Sequence, residues 1–78
     1  MTTLQAFCLE ALKGRKKPIT TRAMLSLARI KLGARVVNLA FEAPKPITYH
    51  EISEALRGLE RNGYVQRRGT PPEWRSRG

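Results

Sequence analysis

The chain's closing stretch, Gly63-Tyr-Val-Gln-Arg-Arg-Gly-Thr-Pro-Pro-Glu-Trp-Arg-Ser-Arg-Gly78, constrains its fold more than any other part. Gly63 reads as a helix stop, and Tyr64 and Val65 begin a strand. Pro71 and Pro72 suit neither a helix interior nor an inner sheet position, so the chain must turn there. The residues beyond them return as a second strand. Strand alternation turns Val65 inward if Tyr64 and Gln66 point outward. Arg67, Arg68, Arg75 and Arg77 face a single acid, Glu73, which makes the hairpin basic. Arg67 and Arg68 approach the turn, where long cations can track phosphates. The prolines fix their own backbone angles, so the tip loses little order on contact.

The segment before the hairpin is the clearest helix. Thr48-Tyr-His-Glu51 is a capping box, and Ile47 is placed to act as its hydrophobic staple. The helix runs on to Asn62, where Gly63 closes it. Ile52, Ala55, Leu56 and Leu59 form its inward stripe. His50, Ser53, Glu54, Arg57 and Arg61 fall within about one third of a turn on the other side. With Tyr49 at its head, this face offers hydroxyl, imidazole and guanidinium groups. Arg57 and Arg61, spaced i, i+4, can reach one groove of a duplex. Glu54 opposes phosphate, and Glu54 and Glu60 stand at helical pair spacing to the arginines.

Upstream, Leu4, Phe7, Cys8, Ala11 and Leu12 keep the rhythm of one helical face. The spacing predicts a helix over about residues 3–13, capped by Thr2 or Thr3, with Gly14 as a left-handed stop. Ile19 fits a one-rung edge strand against the later hairpin. Thr20 or Thr21 then caps a second helix from Arg22 to Leu32, ended by Gly33. Ala23, Met24, Leu25, Leu27, Ala28, Ile30 and Leu32 leave it a narrow polar arc of Arg22, Ser26 and Arg29, so other elements should wrap it. Residues 34–43 fit either a short helix or a strand, and Pro44-Lys-Pro46 ends them in both cases. They serve as extra core, or as a dimer or partner contact through Val36, Val37, Leu39 and Phe41.

Charge narrows the choice of partners. The net charge is +9, which draws a chain towards nucleic acid, acidic membrane or acidic protein. Between Ala11 and Phe41 stand Lys13, Arg15, Lys16, Lys17, Arg22, Arg29, Lys31 and Arg35, with no acid among them. Such clusters displace counterions from phosphates and give salt-sensitive, sequence-independent affinity. Base selectivity would have to come from the outer face of helix 48–62.

Other classes lack the residues they need. Cys8 is the only cysteine, which excludes an internal disulfide and a multi-cysteine metal site. It reads as a small buried hydrophobe. His50 has no second histidine to share a metal, and Gly14-Arg-Lys-Lys lacks the spacing of a phosphate loop. No cofactor and no catalysis are expected. The amino terminus lacks a signal-peptide pattern, and no apolar run approaches the roughly 20 residues of a membrane span. The expectation is therefore one cytoplasmic domain that does not enter a membrane.

Together these elements predict an α+β chain, a winged helix-turn-helix of three or four helices with a small antiparallel hairpin as its wing. Gly69-Thr-Pro-Pro-Glu-Trp74, behind a helix ending in Gly63 and a short strand, resembles the wing of Z-alpha domains. These are small winged helices that bind left-handed DNA and RNA. The resemblance covers about residues 3–32 and 47–77. It implies three helices with a three-stranded sheet, Thr70, Pro71 and Pro72 as backbone contacts, and Trp74 as an aromatic support. Arg57 and Ser53 stand where that family has its tyrosine and asparagine.

The expected function is duplex-DNA binding by a compact regulator of the kind found in phages and prokaryotes. Helix 48–62 would enter the major groove and hairpin 64–77 would hold the backbone, with a homodimer supplying two half-sites. Tyr49, His50, Ser53, Arg57, Arg61, Arg67, Arg68, Thr70, Pro71, Pro72, Trp74 and Arg75 would make the contacts. Two alternatives are a winged helix that docks on an acidic protein, such as a phage inhibitor of a host complex, and a Z-form binder.

Overall fold

Among the described residues three helices start on threonine caps, and these fix where the chain turns. In the computed structural model, which describes residues 1–32 and 47–77, Thr2 and Gln5 form a capping box for α1 (Thr3–Lys13). The Thr2 hydroxyl accepts from the Gln5 amide at 3.1 Å, and the Gln5 side chain accepts from the Thr2 amide at 3.0 Å. Thr20 caps α2 (Thr21–Leu32), its hydroxyl accepting from the Ala23 amide at 3.1 Å. That start is one residue earlier than the sequence suggests. Thr48 and Glu51 box the start of α3 (Tyr49–Arg61) in the expected way.

The two glycine stops differ. Gly63 has φ +81, and Tyr64 N–H donates to the Leu59 carbonyl while Gly63 N–H donates to that of Glu60. This double closure satisfies two carbonyls at the end of α3 and needs the left-handed glycine. Gly14, by contrast, stays right-handed with φ −80 and ψ 0, so the expected left-handed stop does not form there. The chain leaves α1 through a tight turn in which Arg15 N–H donates to the Leu12 carbonyl.

Among the described residues three strands make one antiparallel sheet in the order β1 (Ile19–Thr20), β3 (Glu73–Ser76), β2 (Val65–Arg68). Ile19 pairs with Trp74 as a short edge strand, and Trp74 pairs on its other side with Arg67. Residues directly opposite on antiparallel strands share a face, so Ile19, Trp74, Arg67 and Val65 all point to one side. Ile19, Val65 and Trp74 fill the core on that side. Gly69 takes φ +82 at the start of the turn, and the Thr70–Pro71 peptide is cis.

The core joins Cys8, Leu9 and Leu12 of α1 to Met24, Leu25 and Ala28 of α2, with Ile52, Ala55, Leu56 and Leu59 of α3. The inward stripe of α3 is the one its sequence predicts, and Ile47 is buried beside it. On α1 the buried face is rotated, taking in Leu9 and leaving Phe7 and Ala11 half-buried. On α2 the wrapping is narrower than the wheel implies. Ala23 is exposed and Ile30 is 77% exposed, because both lie across the helix from Met24, Leu25 and Ala28. Arg29 reaches from α2 to the chain just before α3, its Nε donating to the Ile47 carbonyl at 2.9 Å.

The stop at Gly33 and the residues 34–46, with Val36, Val37, Leu39 and Phe41, lie outside the described residues. Among the described residues no helix is long and apolar enough to cross a membrane.

Candidate nucleic-acid interface

A row along α3 carries most of the side chains suited to reading a duplex. Tyr49, Ser53, Arg57 and Arg61 recur every fourth residue, which stacks them on one ridge of the helix. Tyr49, Arg57 and Arg61 are exposed, and Ser53 is half-buried. The capping box holds the helix start, while the Gly63 closure turns the chain straight into β2. That short connection sets the hairpin beside the ridge.

Two places join ridge and hairpin. Near the helix end, Arg57 and Arg61 line a crevice with Arg67 of β2 and with Glu54 and Glu60. Near the helix start, Tyr49 lines a cleft with Pro71 and Pro72 of the turn and with Thr20, Thr21 and Arg22. α3 thus meets the hairpin region at both of its ends, through β2 at one and through the turn at the other.

Arg67 is held on two sides. Its guanidinium lies 5.8 Å from the centroid of the Trp74 ring, within reach of a cation–π attraction. Its Nε is also 3.6 Å from a Glu60 carboxylate oxygen. The sequence sets Glu60 against the arginines of its own helix, but the structure gives it a partner on β2. Strand alternation explains this, because Arg67 shares the inner face with Val65 and so points at α3.

The remaining hairpin cations point elsewhere. Arg68 and Arg75 alternate with Arg67 and Trp74, which puts them on the reverse face of the sheet. Both are exposed. Arg68 stands across from Glu73, and Arg75 across from Gln66. The sequence brings Arg67 and Arg68 to the turn together; the structure separates them by a sheet's thickness.

Trp74 is 1% exposed, so it supports the hairpin from inside and offers no face to a ligand. Its indole N–H donates to the Thr21 hydroxyl at 2.8 Å. Thr70 and Pro71 are exposed at the turn, and Pro72 is half-buried. His50 is exposed but lines a hollow with Thr2, Leu4 and Gln5 near the start of α1, away from the hairpin.

Two further residues belong to these two places. Glu60 restrains Arg67, and Arg22 joins the cleft beside Tyr49 and the prolines. The placement of Arg22 follows once Ile19 is paired with the hairpin, because α2 begins immediately after β1. The upstream cations divide as well. Arg15, Lys16 and Lys17 line a groove with Ile19, Ala23 and Leu27, whereas Arg29 is engaged with the Ile47 carbonyl. Compared with protein-family models, curated proteins and solved structures, the chain matches none.

Proposed function

We propose that this protein binds duplex nucleic acid as a winged helix, with α3 as the groove-facing helix and the 65–76 hairpin as its wing. The element order and the β1-β3-β2 sheet support that layout. The observation that carries the reading is the meeting of Arg57, Arg61 and Arg67 in one crevice near the end of α3, while Tyr49 at its start meets Pro71 and Pro72 in a separate cleft. The α3 ridge then supplies side chains for base edges, and Arg67 beside it a cation for phosphate, as a duplex contact requires. A net charge of +9 supplies attraction at a distance. Transcriptional regulation is the role such a module would serve, without catalysis and without a cofactor.

A titration of the full chain against a labelled mixed-sequence duplex and a CG-repeat duplex, each at low and physiological salt, tests this. Binding that weakens steeply with salt and favours the mixed sequence is expected. Preference for the CG repeat would assign the protein to Z-form binding, with Ser53 and Arg57 doing what the family gives to other residues. Absence of binding to either duplex at low salt would overturn the reading. Within it, Arg57→Ala should relax sequence preference, whereas Arg67→Ala should reduce the salt slope by about one with preference unchanged.

A second reading, docking on an acidic protein surface, has one observation in its favour. Half-buried Phe7, Ala11 and Leu27 form an apolar groove between α1 and α2, rimmed by Arg15 and Lys31 and by one acid, Glu10. Phe7→Ala and Leu27→Ala would abolish that docking while Arg57 and Arg67 tolerate substitution.

A further inference from the structure

The cleft at the start of α3 has a chemistry distinct from the arginine crevice. We infer that it holds one unpaired nucleotide, with the base against Tyr49 and the phosphate against Arg22 and the first turn of α2. This inference rests on the nucleic-acid reading above and adds a feature that reading does not require, a preference for a base outside the duplex stack.

Three elements converge on the cleft, an open hollow of about 410 Å³. Thr20, Thr21 and Arg22 come from the β1–α2 junction, Tyr49 from α3, and Pro71 and Pro72 from the turn. The volume lies in the ~300–1,000 Å³ range of small-molecule sites. Its walls differ in character. Tyr49 remains 47% exposed although it lines a concave site, so its ring is available for stacking. The proline rings add apolar surface and Arg22 adds charge, while Thr21 is buried with its hydroxyl held by Trp74.

The charge in the cleft is unbalanced. The first turn of α2 carries Arg22 and no acidic side chain. A helix start already bears partial positive charge, so a cation there is unfavourable unless an anion joins it. Capping by Thr20 supplies one acceptor, for the Ala23 amide, and no negative charge. The first turn of α3 contrasts with this, because Glu51 provides both capping and charge. Between the two helix starts, α2 is the one left to attract an anion.

Cation and aromatic wall together match the two ends of a nucleotide. A paired base has its faces covered by its neighbours in the stack, so only an unpaired one can lie on Tyr49. Tyr49 is also the first member of the ridge that continues through Ser53, Arg57 and Arg61. A strand followed along that ridge therefore ends at the cleft.

The test compares a fully paired labelled duplex with the same duplex carrying one unpaired deoxyadenosine bulge, read as the ratio of the two affinities for each protein. Stacking on an aromatic ring is worth about a tenfold preference for the bulge in the unaltered chain. Tyr49→Phe should keep that ratio, Tyr49→Ala and Arg22→Gln should bring it below about twofold, and Arg57→Ala should weaken both duplexes equally. A bulge of 2-aminopurine gives an independent readout, losing fluorescence on stacking with the unaltered chain and with Tyr49→Phe. Equal affinity for both duplexes, or a ratio that survives Tyr49→Ala in a folded variant, would overturn the inference while the duplex reading stands. Binding to neither duplex would remove both.

Discussion

Trp74 Nε1 donates a 2.8 Å hydrogen bond to Thr21 Oγ1, and the two residues are 53 positions apart in the chain. Both are buried, with Trp74 1% and Thr21 2% exposed. The bond ties the middle strand of the sheet to the first turn of α2, and so fixes the hairpin relative to the helices. Removing the hydroxyl leaves an indole N–H buried without a partner, which costs about 1–3 kcal/mol. Thr21→Val should lower stability by that amount in urea unfolding. Trp74→Phe should cost at least as much, since it also removes buried ring surface. The two changes together should fall short of their sum, because the second finds the bond already gone.

The Glu60–Arg67 pair should behave differently. Its side chains are 33% and 43% exposed, and exposed ion pairs contribute at most about 1 kcal/mol. Glu60→Gln should therefore barely move the melting temperature. It should raise duplex affinity about two- to fivefold, because a carboxylate that opposes phosphate and occupies Arg67 is removed. Fluorescence anisotropy beside a thermal melt separates these outcomes. Unchanged affinity would mean that Arg67 does not meet phosphate.

How much of this was legible in the sequence varies by residue. The limits of α3 follow from Thr48, Glu51 and Gly63, whose side-chain and backbone demands are local. Pairing of Ile19 with the hairpin follows from its position before a capped helix. The opposite directions of Arg67 and Arg68 were within reach, because alternation dictates them once Val65 faces inward. The Glu60–Arg67 pair needed the distance between α3 and β2, which no local pattern records. Thr21 as the partner of Trp74 is a long-range choice of the same kind. The left-handed stop expected at Gly14 failed because glycine permits that conformation without requiring it.

Gly58 and Gln5 mark a close approach of α3 to α1. A Cβ at Gly58 would collide with Gln5 Nε2, and Gln5 is the residue that completes the α1 capping box. Alanine in mid-helix normally gains about 1 kcal/mol over glycine. Here that gain is offset by displacement of the Gln5 side chain from the Thr2 amide. Gly58→Ala should therefore stabilise the Gln5→Ala background by about 1 kcal/mol and the unaltered chain by clearly less. A four-member cycle of urea unfolding measures the coupling. Equal gains in both backgrounds would show that Gln5 moves aside freely.

Cys8 supplies a pH dependence that belongs to the fold alone. It has no exposed surface, and burial pushes its thiol from 9.0 up to about 12. The folded state thus disfavours the thiolate, and unfolding releases a proton above pH 9. The stabilisation is complete below pH 9 and is lost as pH rises towards 12. At pH 10.5 the loss should reach about 2 kcal/mol. Cys8→Ala lowers stability at neutral pH through lost packing, but its further decline between pH 7 and 10.5 should be smaller by that amount. Lysine and tyrosine titration is common to both proteins, so the difference isolates the thiol. Parallel declines would mean that the thiol ionises as readily in the folded chain as in the unfolded one.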